Sequence, residues 1–195
     1  MTGRNSVGRL LFLGYGPGQT RLIDAVREAR WDVVNESGPV SDLSSYDVVV
    51  SFGYRTILQK NTLETSRRPV LNLHIAYLPY NRGAHPNFWS FFDSTPTGVT
   101  IHEIDEGIDT GPIVFQKKVV FSPNEDTFAK THRRLIMEIE DLFIQNMGAL
   151  LSGNYQARPQ VGPGTYHATK DLPKSLDDWN SKIQDTIMRL KEGIE

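Results

Sequence analysis

Two polar side chains lie in an otherwise apolar segment, where Asn72 and His74 alternate with Leu71 and Leu73. Side chains of a β-strand point alternately to opposite faces, so the amide and the imidazole share one face. An amide can donate a hydrogen bond to the oxyanion of an acyl transfer, and an imidazole can move the proton. For either residue alone, a strand end that has no catalytic role is the favoured interpretation.

A second polar cluster follows a later strand, in the turn made by residues 103–111, which is rich in acidic residues and glycines. By itself it is typical of a solvated β-turn. In open α/β sheets, however, ligands bind at the C-terminal ends of strands, which is where Asn72 and His74 lie. A carboxylate of this turn could reach His74 and fix its tautomer. Donor, proton shuttle and orienting anion together indicate acyl transfer, a reaction that requires no metal.

Two further histidines, His85 and His102, raise the possibility of a metal site together with His74. Their scattered spacing disfavours this interpretation. His102 falls on a predicted strand beside the acidic turn, and we expect it to support the site from behind or to pack in the core.

The first half of the chain alternates apolar runs with helical patterns. Residues 9–14, 47–53 and 70–74 are apolar runs typical of strands buried on both faces, and residues 31–34 indicate a further strand. Thr20 is in position to begin a helix. Strands that alternate with helices predict β-α-β units and parallel pairing. We therefore predict an α/β fold with a Rossmann-like, mostly parallel sheet flanked by helices.

The pattern changes after residue 98. Residues 99–104 and 112–121 predict two strands that form a hairpin or a bent antiparallel extension. Residues 126–151 carry apolar side chains at helical spacing and precede Gly153, which predicts one long amphipathic helix.

The C-terminal tail is predicted to be a short extension of the main unit. Residues 158–165 form a connector rich in proline and glycine, and residues 176–190 predict a helix with an apolar stripe of Trp179, Ile183 and Ile187. The stripe either packs back on the core or meets a second subunit, so a homodimer is possible. We accordingly divide the chain into a catalytic domain, residues 1–155, and an extension, residues 156–195.

Composition excludes several classes of protein. A chain of 195 residues is long enough for one domain with a real core. The net charge of -2 disfavours bulk binding of nucleic acid, and the absence of cysteine excludes disulfides and thiolate metal sites. No apolar run approaches the roughly 20 residues of a membrane helix, and the apolar segment at residues 10–13 is too short for a signal peptide. We expect a soluble cytoplasmic protein.

An ordered series of motifs extends over roughly residues 9–155 and resembles the formyltransferase family that uses 10-formyltetrahydrofolate. The series consists of Asn72 and His74, Leu78 and Pro79, Arg82 and Gly83, Pro86, Trp89, and the segments 98–102 and 105–111. That family includes methionyl-tRNA formyltransferase, glycinamide ribonucleotide transformylase and the sugar N-formyltransferases.

The resemblance implies an enzyme whose formyl donor is 10-formyltetrahydrofolate. It assigns catalysis to Asn72, His74 and Asp109. It also implies a pterin pocket lined by Tyr54, Arg55, Thr56, Ile57, Leu58, Glu106, Gly107, Ile108 and Asp109.

The predicted acceptor contacts come from two other segments. The loop at residues 14–18 lacks the spacing of a dinucleotide fingerprint, which disfavours a Rossmann oxidoreductase. It could cradle a phosphate at the start of the next helix, or be an ordinary strand-to-helix turn. Core packing is the expected role of Phe88 and Trp89. We predict that the acceptor contacts Gly14, Tyr15, Gly16, Arg82 and Asn87.

The segment 86–90, with Tyr166 and His167, resembles the sugar N-formyltransferases and implies a nucleotide-linked amino sugar as acceptor. Methionyl-tRNA formyltransferase carries an additional C-terminal barrel, for which this chain is too short. The alternatives are formylation of glycinamide ribonucleotide or another small amine, hydrolysis of the formyl donor, and a folate-binding module without catalysis.

Overall fold

The centre of the fold is a six-stranded sheet. The computed structural model describes residues 6–122, 124, 126–176 and 178–193. The strand order is β2-β1-β3-β4-β6-β7, in which β2, β1, β3 and β4 are parallel and β6 and β7 are antiparallel to their neighbours. The strands of this sheet are β1 (Gly8–Gly14), β2 (Trp31–Glu36), β3 (Val48–Phe52), β4 (Leu71–His74), β6 (Gly98–Glu103) and β7 (Ile113–Lys118). The predicted mostly parallel α/β sheet with an antiparallel extension is confirmed.

Both faces of this sheet are covered by other parts of the chain, which is why β1 and β3 are mostly apolar. All five residues of β3 are buried, as are residues 10–13 of β1. The helices are α1 (Leu22–Glu28), α2 (Lys60–Leu63), α3 (Pro86–Phe92), α4 (Phe128–Ser152) and α5 (Ile183–Glu192).

The predicted long helix is confirmed as α4, and its ends have clear physical causes. The Thr127 side chain accepts the Lys130 N–H at the start, and Gly153 adopts a left-handed φ of 78° at the end. Leu135, Ile139 and Phe143 follow one stripe of α4 into the core against the sheet.

The tail helix differs from the prediction, because α5 begins at Ile183 and Trp179 lies outside it. The Asp178 carboxylate accepts hydrogen bonds from the Asn180 N–H and the Ser181 hydroxyl, and such local bonds compete with helix formation. The segment then pairs with residues before α4, where the Ile183 N–H donates to the Asp126 carbonyl. The predicted stripe is therefore split between a turn and a helix.

The segment after α4 returns to the main body. Two short strands, β5 (Arg82–Gly83) and β8 (Tyr166–His167), pair in parallel, and Arg158 pairs with Ile113 at the start of β7. The predicted division near residue 155 and the predicted homodimer stay predictions. Among the described residues, no helix has the length and apolarity that crossing a membrane requires.

Helix α4 is held to the start of α1 by a buried carboxylate. Glu140 is 6% exposed, accepts the Thr20 hydroxyl at 2.6 Å and pairs with the Arg21 Nε at 3.0 Å. We expect Glu140→Ala to lower the free energy of unfolding by about 1–3 kcal/mol, because the buried Thr20 hydroxyl loses its acceptor. Urea titrations measure this, with Glu28→Ala on exposed α1 surface as control. Equal stabilities of Glu140→Ala and wild type would contradict the prediction.

Candidate active site

The two polar side chains of β4 point into a cavity at the C-terminal ends of the parallel strands. Leu71 and Leu73 are 1% and 4% exposed and pack in the core, as the alternation predicted. Asn72 and His74 are both among the residues that line the cavity. The strand therefore presents an amide and an imidazole side by side.

A backbone carbonyl fixes the tautomer of His74. Its Nε2 lies 2.9 Å from the Asn81 carbonyl oxygen, which can only accept, so Nε2 carries a proton. The other nitrogen, Nδ1, lies 3.7 Å from Asp109 Oδ2, beyond hydrogen-bond distance. We expected the carboxylate to fix the tautomer; Asn81 does so instead, and Nδ1 is left available to a reacting group.

Asp109 is held by three other groups. Its Oδ2 accepts the Gly83 N–H at 2.8 Å, and its Oδ1 lies 3.2 Å from Asn72 Nδ2 and 3.3 Å from His102 Nε2. Its φ of 53° is left-handed, a conformation that Asp tolerates better than most residues. Burial raises the pKa of Asp109, but the neighbouring His74 and His102 rings and the Gly83 N–H outweigh it and hold the pKa well below its usual range.

His102 is the supporting residue that the sequence placed beside the site. It is 1% exposed and lies opposite Asn72 on the neighbouring strand β6. Its Nδ1 donates to the Glu103 carbonyl, and its Nε2 lies 3.1 Å from Asn72 Nδ2. The Asn72 amide must therefore turn its nitrogen toward Asp109 and His102, because the reversed amide would place an oxygen against the carboxylate.

The catalytic cavity, with a volume of 730 Å³, is lined by Asn72, His74 and Asp109 and by most of the predicted pterin pocket. The predicted residues that line it are Tyr54, Arg55, Thr56, Ile57, Leu58, Gly107 and Ile108. Glu106 is not among the lining residues and pairs with Lys60 at 2.6 Å. Ile57 and Ile108 are 65% and 42% exposed, so this region offers apolar surface that a planar ring can cover.

The predicted acceptor residues do not gather in one place. Tyr15 lines the catalytic cavity, whereas Gly14 and Gly16 do not, and the N–H groups of Tyr15 and Gly16 are bonded to Phe52 and to Gln19. Of the two alternatives for the loop at residues 14–18, these bonds favour the ordinary strand-to-helix turn over the phosphate cradle. Asn87 lines a neighbouring cavity, and the Arg82 guanidinium donates to Gln160.

The predicted packing role of Trp89 agrees with its position: it is 6% exposed, and its ring stacks on His167 with centroids 3.7 Å apart. Metal-binding clusters of three or more His, Cys, Asp or Glu residues do not occur within the described part of the chain.

The formyl transferase family model matches residues 17–146, a range that includes Asn72, His74 and Asp109. The chain belongs to the formyl transferase family. This confirms the resemblance read from the motifs.

Three relatives show how broad the family is. The chain is 36% identical to the formyltransferase PseJ from Anoxybacillus kamchatkensis, solved in complex with UDP-4,6-dideoxy-4-formamido-L-AltNAc and tetrahydrofolate; the match covers 91% of this chain and 96% of that one, with a TM-score of 0.84. It is 34% identical to methionyl-tRNA formyltransferase of Thermodesulfovibrio yellowstonii, over 76% of this chain and 47% of the relative.

A third relative is the dTDP-4-amino-4,6-dideoxyglucose formyltransferase of Mycobacterium bovis, 34% identical over 65% of this chain and 53% of the relative. The chain thus spans about half the length of the curated relatives it matches.

One side chain of the C-terminal segment, that of Gln160, connects several parts of this site. Gln160 Oε1 accepts from Arg82 Nε and Nη2 at 3.1 and 2.7 Å, and its Nε2 lies 2.8 Å from the carbonyls of Asp109 and Gly111. It therefore joins the backbone of Asp109 to the strand whose Gly83 N–H binds the Asp109 carboxylate. No sequence pattern pointed to Gln160, because an amide in a polar connector has many alternative roles.

We expect Gln160→Ala to lower kcat for formyl transfer by about tenfold while the KM for the donor changes little, because misplaced catalytic groups lose reactive geometry. Gln160→Glu is the conservative variant; it keeps the acceptor for Arg82 and loses the two donated bonds. Gln156→Ala, in an exposed part of the same segment, is the matched control. An unchanged kcat in Gln160→Ala would remove this positioning role.

Proposed function

We propose that the protein transfers a formyl group from 10-formyltetrahydrofolate to the amine of a nucleotide-linked amino sugar. The observation that carries the proposal is that Asn72, His74 and Asp109 line one cavity beside apolar surface suited to a planar ring. The similarity to PseJ over nearly the full length of both chains supports the class of acceptor. Tyr54, Arg55, Thr56, Leu58 and the turn of Gly107 and Ile108 would hold the folate.

In this proposal the chain's groups respond to charge that develops on the formyl carbon. Attack by the amine forms its bond to carbon and places negative charge on the formyl oxygen. A protonated His74 Nδ1 would donate to that oxygen, since Nε2 is committed to Asn81, and so would the Asn72 amide after giving up one of its two contacts with Asp109 and His102. The Asp109 carboxylate, 3.7 Å from Nδ1, would stabilise the protonated ring.

Proton transfer completes the reaction. The attacking nitrogen must lose a proton, which Asp109 would accept directly or through a water. His74 would give its Nδ1 proton to the N10 nitrogen of the folate as the carbon–N10 bond breaks. Transfer of the proton from Asp109 to His74 then restores the starting state, so that atoms and charge balance.

The test is to incubate the protein with 10-formyltetrahydrofolate and dTDP-, UDP-, GDP- and CMP-linked amino sugars, following tetrahydrofolate release and product mass. Formylation of at least one of these sugars is expected. Glycinamide ribonucleotide and methionyl-tRNA are the competing acceptors, the latter because of the methionyl-tRNA formyltransferase relatives. Turnover with a competing acceptor alone would overturn the class of substrate.

A single-turnover experiment separates an enzyme from a folate-binding module. An enzyme loses the formyl group of bound donor when acceptor is added, whereas a binding module shows saturable folate affinity and no formyl loss. Hydrolysis would release formate without any acceptor. The cytoplasmic location and the homodimer stay predictions, and light scattering measures the second.

A further inference from the structure

A second cavity, of 720 Å³, lies beside the catalytic cavity. Its walls come from the start of α3, the first turns of α4 and Trp179 of the C-terminal segment. The two cavities share the lining residues Ile75, His85, Pro86 and Ile136. The two cavities therefore adjoin at these residues, close enough for one extended molecule to contact both.

The second cavity has an aromatic wall. The rings of His85 and Trp179 are nearly parallel, with an angle of 19° and centroids 6.0 Å apart. Phe88 and Phe128 contact the Trp179 ring edge-to-face and hold it in place. Burial lowers the pKa of His85, so its ring is neutral near pH 7. This wall is uncharged and preorganised, as stacking against a planar ring requires.

The same cavity is lined by a cation, Arg133, for which the described residues supply no counter-ion. Arg133 lines it and makes no hydrogen bond or ion pair with any residue in the described ranges. The next residue, Arg134, instead pairs with Glu138 and donates to the Val120 carbonyl. An arginine with free donors beside an aromatic wall matches the chemistry of a phosphate attached to a ring.

Asn87, which also lines this cavity, carries an acceptor atom that no described residue uses. The residue is 5% exposed; its Nδ2 donates to the Phe128 carbonyl at 3.0 Å, while its Oδ1 has no partner among the residues described. Buried polar atoms normally have a hydrogen-bond partner. An N–H or hydroxyl group of a ligand would supply one.

We propose that the second cavity binds the nucleoside diphosphate part of the acceptor, with the base against His85 and Trp179 and the diphosphate at Arg133. This rests on the proposed function for the identity of the acceptor. The proposal adds the residues that recognise the nucleotide: His85 at the start of α3, Arg133 in α4 and Trp179 in the C-terminal segment. None of them is one of the three residues proposed to perform the chemistry.

The test is calorimetric titration of the full chain with UDP, dTDP, GDP and CDP, and with uridine and pyrophosphate as separate halves of the ligand. At least one diphosphate should bind. Arg133→Gln should weaken it by about tenfold or more, the effect of losing a charged hydrogen bond. Arg134→Gln, the matched control, should change the affinity by less than about twofold. Trp179→Ala should weaken diphosphate and uridine alike, and Trp179→Phe should restore most of the loss.

Thermal melts establish that each variant is folded; Arg133 is exposed, so Arg133→Gln remains informative even if Trp179→Ala unfolds. Absence of saturable binding by all four diphosphates, or an affinity that Arg133→Gln leaves unchanged, would overturn the proposal. These titrations need neither donor nor turnover. If nucleotide binding depends on Arg133 but the protein transfers no formyl group, the proposed function is refuted and the proposed nucleotide site is retained.

Discussion

An Asp109→Asn variant is expected to stay folded, to bind folate, and to transfer formyl groups about 10²–10⁴-fold more slowly, the usual cost of losing an acid–base group. The substitution removes the negative charge beside His74 Nδ1 and beside His102 Nε2. It also removes the group proposed to accept the proton from the attacking amine. Asparagine tolerates the left-handed φ of 53° at this position, so backbone strain does not confuse the result.

The measurements are single-turnover rates at saturating donor and acceptor, together with a folate titration that checks binding. Asp24→Asn, an exposed carboxylate on α1, is the matched control. A rate for Asp109→Asn within a few fold of wild type would remove the carboxylate from the mechanism. Loss of folate binding with normal turnover of bound donor would instead make Asp109 a pocket residue.

The pH profile provides a second readout for the same residue. Because the pKa of Asp109 is held below its usual range, the carboxylate stays ionised as the pH falls through about 3.9, where an ordinary aspartate gains a proton. Activity that requires the charged form is therefore present at neutral pH and is lost only at lower pH. We therefore expect that Asp109 causes no decrease in kcat between pH 9 and pH 5. Any decrease that wild type shows in this range should also be present in Asp109→Asn.

Local patterns predicted the parts of the site that depend on neighbouring residues. Alternation in β4 placed Asn72 and His74 on one face, as the two-residue period of a strand requires. The resemblance to the family, rather than the strand pattern, assigned Asp109. Strand β6 runs antiparallel to β4, so its last residue, Glu103, lies opposite the start of β4, and the acidic turn must come back along β4 to bring Asp109 to Asn72. The same pairing places His102 opposite Asn72.

Other parts of the site depend on contacts between residues far apart in sequence. The acceptor for His74 Nε2 is a backbone carbonyl, that of Asn81, which no side-chain pattern marks. Gln160 reaches Asp109 from 51 residues away, through a connector whose composition predicted only a loop. The turn at Asp178 displaced the start of α5 and left Trp179 beside His85, where it forms a cavity wall. Such contacts are decided by tertiary packing, which local propensity does not encode.

An Asn72→Ala variant is expected to lower kcat by about 10²–10³-fold, the effect of removing one donor to a developing oxyanion. The loss should fall on kcat rather than on the acceptor KM, because the amide meets the formyl oxygen and lies outside the second cavity. Asn72→Asp should not restore activity, since it would place a second carboxylate about where Nδ2 lies, 3.2 Å from Asp109 Oδ1.

The most informative comparison measures Asn72→Ala and Arg133→Gln in the same assay, with an acceptor that the wild-type protein formylates. If catalysis and nucleotide recognition occupy different cavities, the first variant lowers kcat at nearly constant acceptor KM, and the second raises that KM at nearly constant kcat. Steady-state rates across a range of acceptor concentrations measure both quantities. A raised acceptor KM with normal kcat in Asn72→Ala would mean that the amide binds the acceptor, and the oxyanion would then need another donor.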